Sequence, residues 1–200
     1  MAGIRERKKQ RTHQALVEAA LRLFAEKGYE ETTLAEIAAE ADVSTRTFFS
    51  YFASKEDVLL HDIDSRLERT LALVAGRGPD EALPDLLMRI VRDALAHMAA
   101  DDSGAEATRT RIRLMTTVPA LQARALRLLF SNQLRIARAL QESYHGRLSL
   151  VEAAAAVGAL AGAAKLVIVA SVERGDSMEQ AVEAALQAAE ITVRGLGSLT

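Results

Sequence analysis

Three hydroxyl residues stand three places before a glutamate or glutamine at the head of an apolar run: Thr33-x-x-Glu36, Ser149-x-x-Glu152 and Ser177-x-x-Gln180. In such a capping box the hydroxyl accepts from the backbone N–H three residues on, and the acid or amide side chain reaches back to the capping residue's own N–H. Each pair therefore starts a helix. Behind each box the apolar residues recur at three- and four-residue intervals, and no run of strict alternation is bounded by hairpin turns. Alanine, the best helix former, supplies about a fifth of the chain, and only three prolines interrupt it. These features predict an all-α protein of about nine helices.

The helix ends can be placed from their signals. A first helix runs from the basic 5–11 region to Lys27, where Gly28 suits the residue beyond its C-terminus. A short second helix follows Thr33. Asp42-Val43-Ser44 makes a tight turn into a third, over 45–51, capped by Ser44. Ser54 caps a fourth, expected to run unbroken to the Gly76–Pro79 linker, long enough to act as a lever. Pro84 opens a fifth that stops at 101–104, and a shorter piece covers 106–116. The remaining three begin at Pro119, Ser149 and Ser177.

Several function classes drop out on composition. With no cysteine there is no disulfide framework, thiolate nucleophile or Cys-ligated metal. The four histidines are scattered outside metal spacings, so no metal site is expected. No nucleophile elbow, P-loop, H-E-x-x-H or dinucleotide fingerprint occurs, so neither a catalytic residue nor a cofactor is expected. The N-terminus lacks the apolar core of a signal peptide. Residues 153–172 reach membrane-spanning length only if Lys165 and the glycines are overlooked, which favours a buried helix of a cytoplasmic protein with no membrane partner.

A net charge of -2 does not mark a nucleic-acid binder, but the distribution of charge does. Arg5, Arg7, Lys8, Lys9 and Arg11 crowd the first eleven residues against one acid, Glu6. Four of the eight aromatic side chains fall at Phe48, Phe49, Tyr51 and Phe52, in or just after the third helix. Phe48 and Phe52, four apart, share a face and belong in a core; Phe49 and Tyr51 then face elsewhere. Two short helices joined by a tight turn, the second capped, suit a helix-turn-helix, whose second helix enters a major groove.

The stretch from Ala15 to Leu60, ALVEAALRLFAEKGYEETTLAEIAAEADVSTRTFFSYFASKEDVLL, resembles the DNA-binding domain of the tetracycline-repressor (TetR) family. Four segments agree at fixed offsets: F-x-x-x-G-Y-x-x-T-T, I-A-x-x-A-x-V-S, the aromatic helix, and S-K-E-x-x-L. The resemblance implies a DNA-binding domain over 1–55 and an effector-binding and dimerisation domain over 56–200. It also implies a homodimer on a palindromic operator, released by a small molecule. Base-reading positions fall on Thr45, Arg46, Thr47 and Phe49, and phosphate-contacting positions on Thr33, Tyr51 and Lys55, with the basic arm alongside. Many relatives carry Tyr-His-Tyr-Phe where this chain has Phe49-Ser50-Tyr51-Phe52, so a hydroxyl and an imidazole are lost from the recognition segment.

For the C-terminal part the expectations are looser. An apolar effector pocket is expected from Leu87, Met88, Val91, Met98, Ile112, Met115, Leu126, Leu129 and Phe130. The last two helices are expected to pair across a two-fold axis, with a seam at Ala159, Gly162, Ala163 and Leu166, where small residues let helices approach. The stretch from Arg109 to Arg124 is similar to actinobacterial acyl-CoA-responsive members of the family, the mycofactocin system regulator among them. Its arginines then suit a CoA phosphate. The competing reading is an all-α interaction or small-molecule-binding module without sequence-specific DNA binding. That module leaves the basic arm and the aromatic helix unexplained.

Overall fold

Side-chain caps start five of the described helices where the sequence places them. The computed structural model describes residues 3–100 and 104–196, and among these it holds ten helices and no strand. The expected stop at Asp101-Asp102-Ser103 lies outside the described residues. The first helix, α1 (Ile4–Lys27), ends at Gly28, whose φ of +94° strains any other residue. In α2 (Leu34–Glu40) the Thr33 capping box is complete: the Glu36 N–H donates to Thr33 Oγ1 at 3.2 Å and the Thr33 N–H donates to Glu36 Oε2 at 2.9 Å. Ser44 caps α3 (Thr45–Phe49) by accepting from the Thr47 N–H at 3.1 Å, and Ser54 caps α4 (Lys55–Leu59).

The fourth helix is not the continuous lever that was expected. It stops at Leu60, and a separate α5 (Ile63–Ala75) begins after Asp62, which raises the helix number to ten. The break has a local cause. The Leu60 N–H bonds back to Asp57 O, tightening the last turn, while Leu60 itself is buried. Asp62 then acts as the cap position of α5, with Asp64 in its first turn and an ion pair to Arg66 at 2.6 Å. Asp-x-Asp is a helix-start signal that the apolar periodicity running through it conceals.

Beyond it come α6 (Leu83–Ala99), α7 (Gly104–Thr117), α8 (Pro119–Ser143), α9 (Leu150–Arg174) and α10 (Met178–Gly195). Both later capping boxes, at Ser149 and Ser177, are complete. The chain divides into two compact units. The first takes the residues up to His61 together with those between 101 and 122; the second takes 62–100 and the residues from 123 onward. Thus α7, which the sequence assigns to the effector part, packs on α1 in the first unit.

In the first unit Leu16, Val17, Ala20, Phe24, Ile37, Phe48, Val58, Leu59 and Leu121 form the core. In the second, α10 lies along α9 and α6. The α9–α10 contact is close because alanines face inward: Ala153, Ala156, Ala181, Ala185 and Ala189 are all buried. The rest of α9 departs from expectation. It is the one helix, among the described residues, with the length and hydropathy of a membrane span, yet only 22% of that window is buried. Its small residues split between an inner face and an open one, so it is not the buried helix that its apolarity suggests.

Within the second unit Arg77 ties the α5–α6 linker to the end of α8. Its guanidinium donates to Ser143 Oγ at 2.7 Å, to Ser143 O at 2.7 Å and to Gly78 O at 2.8 Å, and lies 4.1 Å over the Tyr144 ring. The Tyr144 hydroxyl donates to Glu81 O at 3.0 Å, and Arg89 grips the Glu81 carboxylate with two bonds of 2.9 and 2.8 Å. Those bonds from Arg89 hold the Glu81 carboxyl below its usual range. A lysine at position 77 cannot serve this many acceptors in one plane. Arg77→Lys is therefore expected to lower the unfolding free energy by about 1–3 kcal/mol in urea titrations. An unchanged midpoint would show that the linker is held by other contacts.

Candidate nucleic-acid interface

The candidate interface is built outward from Phe48. This side chain is 0% exposed and its ring lies 5.6 Å from that of Phe52, so the two hold one face of α3 in the core of the first unit. The opposite face is consequently presented outward. Thr45, Arg46, Phe49 and Ser50 are exposed, Phe49 to 54%, while Thr47 is half-buried and its Oγ1 lies 2.9 Å from Ser44 Oγ. Three of the four expected base-reading side chains thus lie open on one short helix, and the fourth rests against its cap. Asp42, at φ +54°, makes the turn between α2 and α3. Aspartate tolerates that conformation better than most residues.

The expected phosphate contacts are placed differently. Thr33 is exposed, but its hydroxyl also donates to Glu36 Oε2 at 2.9 Å, within the capping box. Tyr51 is half-buried, its ring 6.3 Å from that of His13. The Lys55 ammonium donates to Tyr29 O at 2.8 Å and sits 4.2 Å over the Tyr29 ring. Arg22–Glu40, at 3.1 Å, and Lys27–Glu36 pair α1 with α2. The basic arm is a helical extension: Arg5, Arg7, Lys8, Lys9 and Arg11 are all exposed on the first turns of α1. Cations at a helix N-terminus oppose the helix dipole and one another.

The expected effector residues are divided between the two units. Leu87, Met88 and Val91 are buried in the core of the second unit, with Met98 packed against it. Ile112 and Met115 lie on α7 in the first unit. Leu129 is half-buried on α8, where Leu126 and Phe130 are exposed, Phe130 to 65%. A cleft of about 540 Å3 on α8 is lined by Arg124, Arg127, Leu128 and Ser131. Of the α7 arginines, Arg111 is buried, Arg109 half-buried and Arg113 exposed. Each expected seam residue remains at least partly open: Ala159 and Leu166 are exposed, and Gly162 and Ala163 are half-buried. A Cβ built on Gly162 meets no atom within 4 Å.

Residues 16–61 match the family described as bacterial regulatory proteins, tetR family. That segment, from the second half of α1 through α4, is what is similar to the TetR family. Over 85 residues it is 45% identical to the HTH-type transcriptional regulator TcmR of Streptomyces glaucescens, a match that covers 40% of this chain and 38% of TcmR. Over 117 residues it is 29% identical to MftR of Mycobacterium tuberculosis, named for regulation of mycofactocin biosynthesis, covering 58% of each. These matches span less than two thirds of each relative. The fold extends further. A TetR-family transcriptional regulator from Syntrophomonas wolfei superposes with a TM-score of 0.69 at 20% identity, over 94% of this chain and 97% of that one. Thermus thermophilus FadR in complex with lauroyl-CoA superposes with a TM-score of 0.50 at 25% identity, over 88% and 91%. The TetR-like fold, with an N-terminal helix-turn-helix and a C-terminal helical domain, therefore covers nearly the whole described chain.

Sequence reasoning missed two features of this TetR-like domain. One is the engagement of Lys55 and Glu56 with Tyr29, where the Tyr29 hydroxyl donates to Glu56 Oε1 at 2.9 Å. The other is a ring cluster behind the aromatic segment. The His13 ring lies 4.8 Å from that of Phe52 and 5.1 Å from that of His61. Burial, then the charge of Lys9, push the His13 pKa below its usual 6.5. The unfolded chain thus binds a proton at a pH where the folded chain does not. His13 contributes no penalty above its unfolded pKa, and stability is lost as pH falls below about 6.5 toward the folded value. His13→Gln is expected to flatten this part of the stability–pH curve in urea titrations. An unchanged slope between pH 7 and pH 5 would contradict it.

Proposed function

We propose that this protein is a DNA-binding transcriptional regulator, a repressor that holds a palindromic operator as a homodimer and is released by a small effector. The observation that carries the reading is the outward face of α3: a guanidinium, a threonine and an open phenyl ring on a capped helix anchored by a buried Phe48. Arg46 can donate two bonds to guanine O6 and N7, and Phe49 can meet a thymine methyl. The basic arm on α1 supports the same reading, because a phosphate backbone relieves the repulsion among its cations. The proposed division of labour gives DNA to residues 1–55 and effector binding and dimerisation to 56–200. No catalytic residue, metal or cofactor enters, and the work is cytoplasmic and away from any membrane. A small-molecule or interaction module without DNA activity is disfavoured by the exposed Arg46 and Phe49.

Arg46→Ala is expected to relax preference at one base pair per half-site, by about 1–3 kcal/mol, with little change on random DNA. Fluorescence anisotropy on the DNA upstream of its gene and on a scrambled duplex checks this. Equal loss on both would remove Arg46 from base reading.

The open face of α9 supports the dimer. Leu166 is 72% exposed there beside Ala159, Gly162 and Ala163, and Ile191 is exposed on α10. A second copy covering this face by its last two helices forms a four-helix seam. A Cβ at position 162 meets no atom within 4 Å in a lone protomer, whereas Gly162→Leu wedges the seam, so light scattering should report a folded monomer. A folded dimer would move the interface elsewhere. For the effector, an acyl chain with an acidic head group, as in an acyl-CoA, suits the α8 surface. Leu126 and Phe130 are exposed there, and two arginines line the neighbouring cleft. The lauroyl-CoA held by the FadR structure is of this chemistry.

A further inference from the structure

The His13 ring meets three others that come from two further parts of the first unit. Tyr51 and Phe52, just after α3, lie 6.3 and 4.8 Å away, and His61, beyond the end of α4, lies edge-on at 5.1 Å. From Phe52 the rings continue inward and then out again. Phe52 is 5.6 Å from Phe48, and Phe48 is 5.8 Å from Phe49 at an interplanar angle of 88°. Tilted and edge-on contacts at these separations are the favoured ones between aromatic rings. A file of rings therefore runs from α1 to the outward face of α3. Its middle members, Phe48 and Phe52, are buried, while Phe49 is exposed and His13 half-buried. A helix as short as α3 takes its place from packing of this kind and not from its own hydrogen bonds.

His13 fits this file best as a neutral ring. Lys9 acts on it from its own helix, Tyr51 faces it from behind α3 and His61 from beyond α4, and none of the three is a carboxylate. The acids of α2 are engaged by cations of α1, Glu36 by Lys27 and Glu40 by Arg22. On α4, Lys55 and Glu56 engage Tyr29, and Asp57 lies in the first turn. The other helix packed on α1 is α7, which carries Arg109, Arg111 and Arg113, and its one acid, Glu106, is exposed. A ring face attracts a cation. Burial and the Lys9 charge oppose it more strongly and push the His13 pKa below its usual 6.5. An imidazolium at position 13 thus gains by leaving the rings for water.

We infer that neutral His13 is a positioning residue of the candidate interface: its ring seats the Tyr51–Phe52 segment on α1 and thereby sets Tyr51 and the outward face of α3. Protonation releases the segment, so DNA affinity falls as the medium turns acid. This rests on the DNA-binding reading above, and the two can fail separately. The sign of the pH effect is diagnostic. A histidine that meets a phosphate takes up a proton on binding, so affinity and the steepness of log K against log salt both rise toward acid pH. A positioning histidine lowers affinity toward acid pH and leaves the slope unchanged.

The test measures binding of a palindromic duplex, selected in vitro on the wild-type protein at pH 7.5, from pH 7.5 to pH 5.0 and between 50 and 300 mM salt. Amide spectra of the DNA-free proteins are recorded alongside. Wild-type affinity is expected to hold above about pH 6.5 and to fall about threefold or more by pH 5.0 at an unchanged slope, with the amides of 48–52 moving over the same range. His13→Phe keeps a ring and takes no proton. It is expected to bind as the wild type does at pH 7.5 and to lose nothing at pH 5.0. His13→Ala, which loses the ring, is expected to bind about threefold or more weakly at every pH. If His13→Ala does not fold, His13→Phe decides. Affinity that stays flat or rises toward pH 5.0 in the wild type, an acid fall that persists in His13→Phe, or wild-type affinity in His13→Ala overturns the inference. Failure of the wild-type protein to select any duplex overturns the DNA-binding reading instead.

Discussion

Burial of the Phe48 ring is the contact on which the rest of the candidate interface depends. A helix of five residues, the length of α3, has no stability of its own in water, because nucleation outweighs the few hydrogen bonds it closes. The Ser44 cap satisfies one orphan donor and is worth about 1 kcal/mol. Truncating a buried phenyl ring costs about 3–5 kcal/mol, so the side chain outweighs the cap. With Phe48 and Phe52 inside, helical geometry turns Arg46 and Ser50 outward, and Thr45 and Phe49 are exposed on the flanks.

The same logic explains why the motifs of this domain occur at fixed offsets. The Gly28-Tyr29 pair and the Ser54-Lys55-Glu56 triplet are far apart in sequence, yet Tyr29 is clasped between the two charged side chains of the triplet. Gly28 supplies the positive φ that lets α1 end and the turn begin. Ser54 starts α4 so that Lys55 and Glu56 project from its first turn. Gly28 and Tyr29 need touch no ligand for their substitution to disturb a surface that does.

Much of the architecture was legible because caps and periodicity are local. The boxes at Thr33, Ser149 and Ser177, the caps at Ser44 and Ser54 and the inward Phe48–Phe52 pair all lie where their spacing put them. What escaped was non-local or masked. The interruption at Leu60–Asp62 hid behind an apolar period that continues from α4 into α5. The packing of α7 on α1 brings together residues some ninety positions apart, which no spacing rule reports. The bond from Lys55 to Tyr29 O spans 26 positions, and no spacing rule reports it either. In α9, alanine and glycine carry no sign of which face is inner, and the structure divides them between α10 and an open surface.

The central claim is that the outward face of α3 reads base sequence, and selection from a pool of random duplexes tests it most directly. The wild-type protein should enrich a palindrome whose half-sites carry a guanine that Arg46→Ala no longer demands, at a spacing close to a whole number of helical turns. Recovery of unrelated sequences after several rounds, or the same palindrome with Arg46 and Phe49 both replaced by alanine, would contradict it.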